Sequence, residues 1–475
     1  MHQELFRSPA EGSRPGKSKW MIFAATSLAN LVASFSINSV NLALPSLAEK
    51  FGVSPGAVSW LTLVYSLLPC CTLLIFGRMG DLYGYKRQFL GGYLFFGAVS
   101  LLTPLLAANL GLLILFRCLQ GIGYGMLISI TQAIVSRTFP AAERGKALGV
   151  NSVFVSVGLA AGPTIGGILL TYSGWHAIFY FNVPFCILGA LATLLVMREE
   201  PGDRAVRGRM DWPGAALFAV SVGSLAVDVN FSYAWGWLSP CFIGCMALSV
   251  VTALFFVGCE RRAEAPLMPL GLFRKKTFTL ANAACVCSYL TQQMTTFLVP
   301  FFLVDILLFA EDRSGLIMLA TPLAMMLSSP FGGGMTDRYG TRRTAILGLG
   351  LIAAGCIYMS RLGSGASAFA VAAALLLFGV GNGFSVSAIN TAVLCSVPRE
   401  QAGIASGMVA TMRNLGQTLG VAFGSVLIAL RQGVYARAGG LGKIDIYVLA
   451  QRDSFYFGLS VTVLAAALIF MLPKE

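Results

Sequence analysis

The stretch GRMGDLYGYKR, Gly77 to Arg87, carries four charges in eleven residues, in a chain that is 56% hydrophobic and only 11% charged. Far downstream, GGMTDRYGTRR, Gly333 to Arg343, repeats its skeleton. Gly77, Asp81, Gly84, Lys86 and Arg87 in the first copy correspond to Gly333, Asp337, Gly340, Arg342 and Arg343 in the second, where Arg338 adds a further charge. Charge so concentrated in so apolar a chain marks turns between apolar segments. Its duplication says that the fold is built twice.

The mean hydropathy is +0.77, and about 20 apolar residues suffice for a helix to cross a bilayer. Fourteen apolar spans are predicted, at 20–44, 57–76, 88–108, 110–135, 147–170, 177–197, 213–234, 238–259, 278–305, 314–334, 344–361, 367–391, 403–429 and 454–473. In lipid the backbone must satisfy its own hydrogen bonds, so these spans are helices and the chain is an all-α membrane protein. The polar, basic arm 1–19 precedes the first span without a small-residue cleavage site, which reads as a retained span and not a signal peptide.

The net charge of +13 does not point to nucleic acid, because of where it falls. With the N-terminus in the cytoplasm, most Lys and Arg lie on the cytoplasmic side, the positive-inside bias, and both termini are cytoplasmic. Trp20 and Trp212 then mark cytoplasmic helix ends, and Trp60, Trp175, Trp235 and Trp237 outer ends, as in an aromatic belt. The eleven cysteines show no zinc spacing and read as small apolar residues. With two histidines, no GxSxG and no phosphate loop, the sequence predicts no enzyme, metal or cofactor.

The duplication extends beyond the turns. At one constant offset Pro140 meets Pro398 and Gly145 meets Gly403, while Gly149, Gly158, Gly162 and Gly166 meet Gly407, Gly416, Gly420 and Gly424. Gly121, Gly123 and Gly125 likewise meet Gly379, Gly381 and Gly383. This predicts a six-helix bundle over 20–197, an inserted helix pair over 198–276 and a second six-helix bundle over 277–475. Parallel repeats of this kind are a transporter architecture with the substrate site between the halves. Gly158, Gly162 and Gly166 line one helix face and allow close approach of a neighbour, and Pro163 can bend that helix. Their duplication suggests a mechanical role where the halves meet; ordinary close packing is the other reading.

These residues resemble the major facilitator superfamily, specifically its fourteen-helix drug:proton antiporter subfamily. The two charged turns are similar to that superfamily's motif A and its second-half copy, and RCLQGIGYG, from Arg117, to motif B. The series Gly149, Gly158, Gly162, Pro163, Gly166, Gly167 is similar to motif C, the antiporter motif. NLALP (Asn41 to Pro45) and WHAIFYFNVP (Trp175 to Pro184) resemble further signatures of the subfamily. The resemblance implies that Asp81 sits against the start of the span 403–429, near Gly403, and Asp337 against the start of 147–170, near Gly145, together holding the cytoplasmic side closed. Arg78, Lys86, Arg87, Arg338, Arg342 and Arg343 would add ion pairs and anchor the turns at anionic head groups.

The sequence departs from the subfamily at Ser36, where an Asp is usual. A proton site must then lie elsewhere or not exist. Asp305 and Asp228 are the candidates, Asp305 favoured because its helix belongs to the core repeat. Asp228 is expected in the outer part of the membrane, either snorkelling outward or neutral. Arg117 lies too deep for a loop and is expected to line the central cavity, with backbone carbonyls as an alternative role. Further cavity candidates are Asn38, Gln120, Tyr124, Gln292, Phe297 and Asn382. The function implied is a monomeric secondary exporter of amphipathic or cationic small organic molecules, proton-coupled, in the bacterial cytoplasmic (inner) membrane. Alternatives are an exporter of an endogenous metabolite or lipid with different coupling, and a non-transporting membrane receptor.

Overall fold

A computed structural model describes residues 16–472 apart from 54, 141–142, 198–209, 236–238, 263–265, 269, 310, 399–400 and 439–441. A helix covers each predicted span. The first group is α1 (Gly16–Phe51), α2 (Pro55–Tyr83), α3 (Tyr85–Leu106), α4 (Leu110–Thr138), α5 (Arg144–Ser173), α6 (Trp175–Tyr180) and α7 (Asn182–Val196). The inserted pair is α8 (Trp212–Trp235) and α9 (Pro240–Arg262). There follow α10 (Lys276–Phe301), α11 (Glu311–Met318), α12 (Ala320–Tyr339), α13 (Thr341–Arg361), α14 (Ala368–Cys395), α15 (Ala402–Ala438) and α16 (Lys443–Phe470). The predicted spans 177–197 and 314–334 are each covered by two helices, broken near Phe181 and Leu319.

Among the described residues eleven helices are long and apolar enough to cross a membrane, and the protein is multi-pass. The polar middle of α10, with Asn282, Ser288, Gln292 and Gln293, keeps it below that threshold. Residues 430–453 were expected as an outer loop. Instead α15 runs on to Ala438 and α16 starts at Lys443. Both extensions remain helical beyond the apolar core because they pair with each other: Arg431 Nε lies 3.4 Å from Asp453 Oδ2, which also accepts the Tyr435 hydroxyl at 2.7 Å.

Packing repeats as the sequence does. α1 lies on α5 and α10 on α15; α2 and α3 lie on α4, and α12 and α13 on α14; α7 and α16 close the two sets against α3 and α13. Across the two sets, α2 meets α15 and α5 meets α12. α8 rests on α2 and α15, and α9 packs chiefly on α8, leaving Val250, Val251, Leu254 and Phe255 exposed in the way a lipid-facing surface requires. At the end bearing the charged turns, one apolar cluster joins both sets: Leu74, Phe139 and Leu148 pack with Phe278, Val393, Ile404 and Met408.

The tryptophans divide. Trp20, Trp60 and Trp212 are exposed, as a belt requires. Trp175 is not: it is buried, with the His176 ring stacked on it at 3.9 Å and Lys50 Nζ 4.6 Å from its centroid. The break between α6 and α5 turns the indole inward, so it packs instead of facing lipid. Trp235's side chain and Trp237 lie outside the described residues. Cys70, Cys71, Cys186, Cys285 and Cys356 are buried packing residues, whereas Cys241 and Cys395 are exposed.

Candidate functional site

Each charged turn is a tight bend between two helices. Gly84 and Gly340 stand at the corners with φ of 94° and 88°, a region that costs any other L-residue strain. The bend puts Asp81 and Asp337 on the last turns of α2 and α12, facing a helix start in the other set. Asp81 accepts the backbone N–H of Gly403 and of Ile404, both at 2.8 Å. Asp337 accepts those of Gly145 at 2.7 Å and Lys146 at 2.9 Å. A carboxylate there meets unsatisfied donors and the positive end of the helix dipole. The backbones can come this close because the crossing points are glycine: a Cβ on Gly77 would lie 2.6 Å from the Gly403 carbonyl oxygen, and one on Gly145 2.6 Å from that of Gly333.

The basic residues around the turns separate by burial. Arg78 is buried within reach of the Asp81 and Glu260 charges. Lys86 Nζ donates to the Leu194 carbonyl at 3.2 Å, and Arg342 to that of Leu472 at 3.4 Å. Arg87, Arg338 and Arg343 are exposed.

Sequence reasoning missed three residues here. The Tyr85 hydroxyl donates to Asp81 Oδ1, and the Arg137 guanidinium lies 4.6 Å above the Tyr85 ring. In the second copy these positions are Thr341 and Cys395, and Asp337 is only half-buried where Asp81 is 6% exposed. Comparing the two copies at the repeat offset would have revealed this asymmetry. The third is Glu260, a buried carboxylate at the end of α9. It accepts the N–H groups of Leu267 at 3.1 Å and Met268 at 3.2 Å, fixing a linker whose Leu267 and Leu272 enter the apolar cluster beneath the turns.

The glycine face of α5 lies elsewhere than expected. A Cβ on Gly158 would lie 2.6 Å from the Leu31 carbonyl oxygen, one on Gly162 2.6 Å from Asn38 Cβ, and one on Gly166 2.9 Å from Ser39 Cβ. These glycines seat α1 on α5 within one set; they do not face the other set. Gly416, Gly420 and Gly424 do the same for α10 on α15, against Val286, Leu290 and Met294. Gly149 and its counterpart Gly407 do face across, against Ser329 of α12 and Leu73 of α2. Gly167 and Pro163 lie within α5, the latter's side chain outside the described residues.

Within the first set, Arg117 of α4 is fully buried. Its Nε donates to the Leu61 carbonyl at 3.2 Å, its Nη1 to Ser36 Oγ at 3.1 Å and Gln120 Oε1 at 3.0 Å, and its Nη2 to the Ser36 carbonyl at 3.4 Å. The guanidinium also lies 4.0 Å from the Tyr65 ring centroid, and Tyr65 stacks on Tyr124 at 5.5 Å with an 8° interplanar angle. Tyr124 is within electrostatic reach of Arg413 on α15, as is Tyr289 of α10.

The other cavity candidates scatter. Asn38 Nδ2 clasps α1 to α5 through the Leu159 carbonyl at 2.9 Å. Gln120 turns toward α3, donating to Ser100 Oγ at 2.9 Å. Asn382, the repeat counterpart of Tyr124, is buried and donates to the Phe378 carbonyl at 2.9 Å. Gln292 and Phe297 are half-buried on α10, Phe297 against Phe301 at 5.4 Å.

The two acids differ in burial. Asp305 is exposed in a π-helical turn after α10, near Tyr447 of α16. Asp228 on α8 is fully buried and does not snorkel, and neither carboxylate oxygen has a hydrogen-bond partner among the described residues.

The family model described as Major Facilitator Superfamily matches residues 26–274 and 281–475. The chain belongs to the Major Facilitator Superfamily. It is therefore a transporter by family. Among curated superfamily relatives it is 33% identical to the uncharacterized transporter YebQ of Escherichia coli, over 82% of this chain and 84% of that one. It is 32% identical to the multidrug resistance protein Stp of Mycobacterium tuberculosis, over 87% and 76%. It is 28% identical to the riboflavin transporter RibZ of Clostridioides difficile, over 96% and 98%. The crystal structure of the human organic anion transporter MFSD10 (TETRAN) aligns with a TM-score of 0.67 over 96% of this chain and all of that one, at 15% identity, a likeness of fold alone.

Proposed function

We propose that this superfamily transporter is a monomeric secondary exporter of amphipathic small organic molecules in the bacterial inner membrane, working by alternating access. Residues 20–197 and 277–475 rock as two halves, with 198–276 as an inserted pair and the charged turns and both termini on the cytoplasmic side. The observation that carries the reading is the duplicated clamp, in which Asp81 and Asp337 each take two backbone N–H groups from a helix start in the opposite half. Two matched, reversible charge–dipole contacts at one end suit a gate that closes that end while the other opens. Relatives named for multidrug resistance and for tetracenomycin C export support the direction.

Proton coupling, as in the drug:proton antiporter group the chain resembles, would run through Asp228, since a buried intramembrane carboxyl with no hydrogen-bond partner among the described residues is costly and suits a proton carrier. The test is transport by the purified protein in liposomes across a compound panel, with imposed pH and electrical gradients; no transport of any compound under either gradient overturns the reading. A second reading, export of an endogenous metabolite with different coupling, draws on Ser36 at the usual acid position and on the riboflavin transporter among the relatives.

A further inference from the structure

We infer that the central site of the proposed exporter selects organic anions bearing an aromatic skeleton, and that Ser36 is part of that selectivity because it leaves Arg117 unneutralised. This rests on the reading of the protein as an exporter and specifies the charge of its cargo, against the cationic cargo that the sequence suggested.

A row of six residues crosses the middle of the molecule. Ser36 and Tyr65 hold Arg117 from one side, Tyr65 stacks on Tyr124, and Tyr124 packs on a cluster that includes Ala410 of α15, within electrostatic reach of Arg413, which Tyr289 also neighbours. Among the described residues, the hydrogen-bond and ring partners of Arg117 are neutral: two backbone carbonyls, a hydroxyl, an amide oxygen and a ring face. The charge is solvated by dipoles but not cancelled, and an arginine does not deprotonate to escape burial.

Among the described residues no carboxylate compensates. The sequences of α4, α10 and α15 contain no Asp or Glu; α1 contains only Glu49, exposed and more than three turns beyond Ser36; and α2 contains only Asp81, committed to the Gly403 and Ile404 N–H groups at the far end of the helix. A low-dielectric site with two guanidinium groups and no acid repels an organic cation and attracts an anion. Arg413 and Tyr124 are the partly exposed members of the row, so they are the ones a cargo can reach. Arg413 offers a planar fork of donors to a carboxylate or sulfonate, and Tyr124, whose other face is covered by Tyr65, offers a ring edge and face to an aromatic body. An anion leaving an inside-negative cell is also driven outward by the potential itself, so such a cargo needs no acid at position 36 to be released.

The full-length protein in liposomes would be given carboxyfluorescein or ethidium, with a potassium–valinomycin potential of either sign and no pH gradient. Carboxyfluorescein is expected to accumulate when the lumen is positive, and ethidium to stay at the protein-free level under both signs. Arg413→Gln and, independently, Ser36→Asp, which sets a carboxylate against Arg117, should each lower carboxyfluorescein uptake about tenfold, the scale of one charge-assisted hydrogen bond, and Arg413→Lys should recover part of it. Ethidium transport without carboxyfluorescein transport overturns the anion assignment and leaves the exporter reading standing. Carboxyfluorescein uptake unchanged in both variants overturns the assignment to this row. Failure to move either dye, when the compound panel under a pH gradient also shows no transport, removes the exporter reading and this inference with it.

Discussion

Ser36 Oγ accepts a hydrogen bond from Arg117 Nη1 at 3.1 Å, and the Ser36 carbonyl accepts Nη2 at 3.4 Å. A position where the resembling antiporters commonly carry an acid is thus in direct contact with the most deeply buried arginine among the described residues, and holds it with neutral groups. That contact sets what the centre of the molecule can bind, and removing the arginine is the most direct perturbation of it. Arg117→Ala should abolish export, because it leaves the Ser36, Leu61 and Gln120 acceptors unpaired and takes the cation from the Tyr65 ring. Arg117→Lys should restore only a fraction, since a point charge cannot serve acceptors on three helices at once. Initial transport rates at matched protein amounts in liposomes decide this; an alanine variant at the parental rate would show Arg117 to be dispensable.

Asp81→Asn should cost more transport than Asp337→Asn. Both lose the charge at a helix N-terminus, worth ~0.3–1 kcal/mol when exposed and up to ~2 kcal/mol when partly buried. Asp81 is buried and backed by Tyr85, while Asp337 is half-buried and has Thr341 at the equivalent place. Cysteine accessibility at the opposite end of the bundle, measured beside transport, should shift further for the Asp81 variant. Equal effects of the two substitutions would contradict the asymmetry.

Gly162→Leu should destroy export, and Gly162→Ala should already impair it, because a Cβ there meets Asn38 Cβ at 2.6 Å and forces α1 off α5. Overpacking of this kind costs ~1–3 kcal/mol, read as a lowered melting temperature in detergent. Gly350→Leu is the control: nothing lies within 4 Å of a Cβ at that exposed position of α13, and transport should be unchanged.

Glu260→Ala should destabilise the protein by ~1–3 kcal/mol, since it strips the acceptor from the N–H groups of Leu267 and Met268 in a buried linker. Glu260→Gln keeps one acceptor and should lose less. Thermal unfolding of the two variants, compared with the parent, tests the order alanine, then glutamine, then parent.

Asp228→Asn should remove the part of transport that a pH gradient alone drives, leaving potential-driven transport in place, and Asp305→Asn should leave both. The contrast follows from burial: one carboxyl is enclosed and the other exposed. Full pH-driven transport by the Asp228 variant would take that carboxyl out of the coupling.

The sequence by itself determined the all-helical membrane fold, its doubling and the place of the two turns, for local reasons: apolar length dictates helix in lipid, and a Gly-Asp-Gly spacing repeated at a constant offset marks the same bend twice. It marked Asp81 and Asp337 as equivalent positions, but only tertiary structure decided what they touch and that the first contact is buried and the second half-buried. It located the glycines of α5 but not their neighbour, because a smooth helix face says that something approaches and not which helix, and α1 came where the opposite half had been expected. It favoured Asp305 over Asp228 from helix membership, and only tertiary structure decided that Asp228 is the buried one, since exposure depends on neighbours distant in sequence. Ser36 was visible as a missing acid. That the vacancy falls against Arg117, and so leaves positive charge at the centre, could be decided only where α1, α2 and α4 come together, because charge compensation is a property of three-dimensional neighbours.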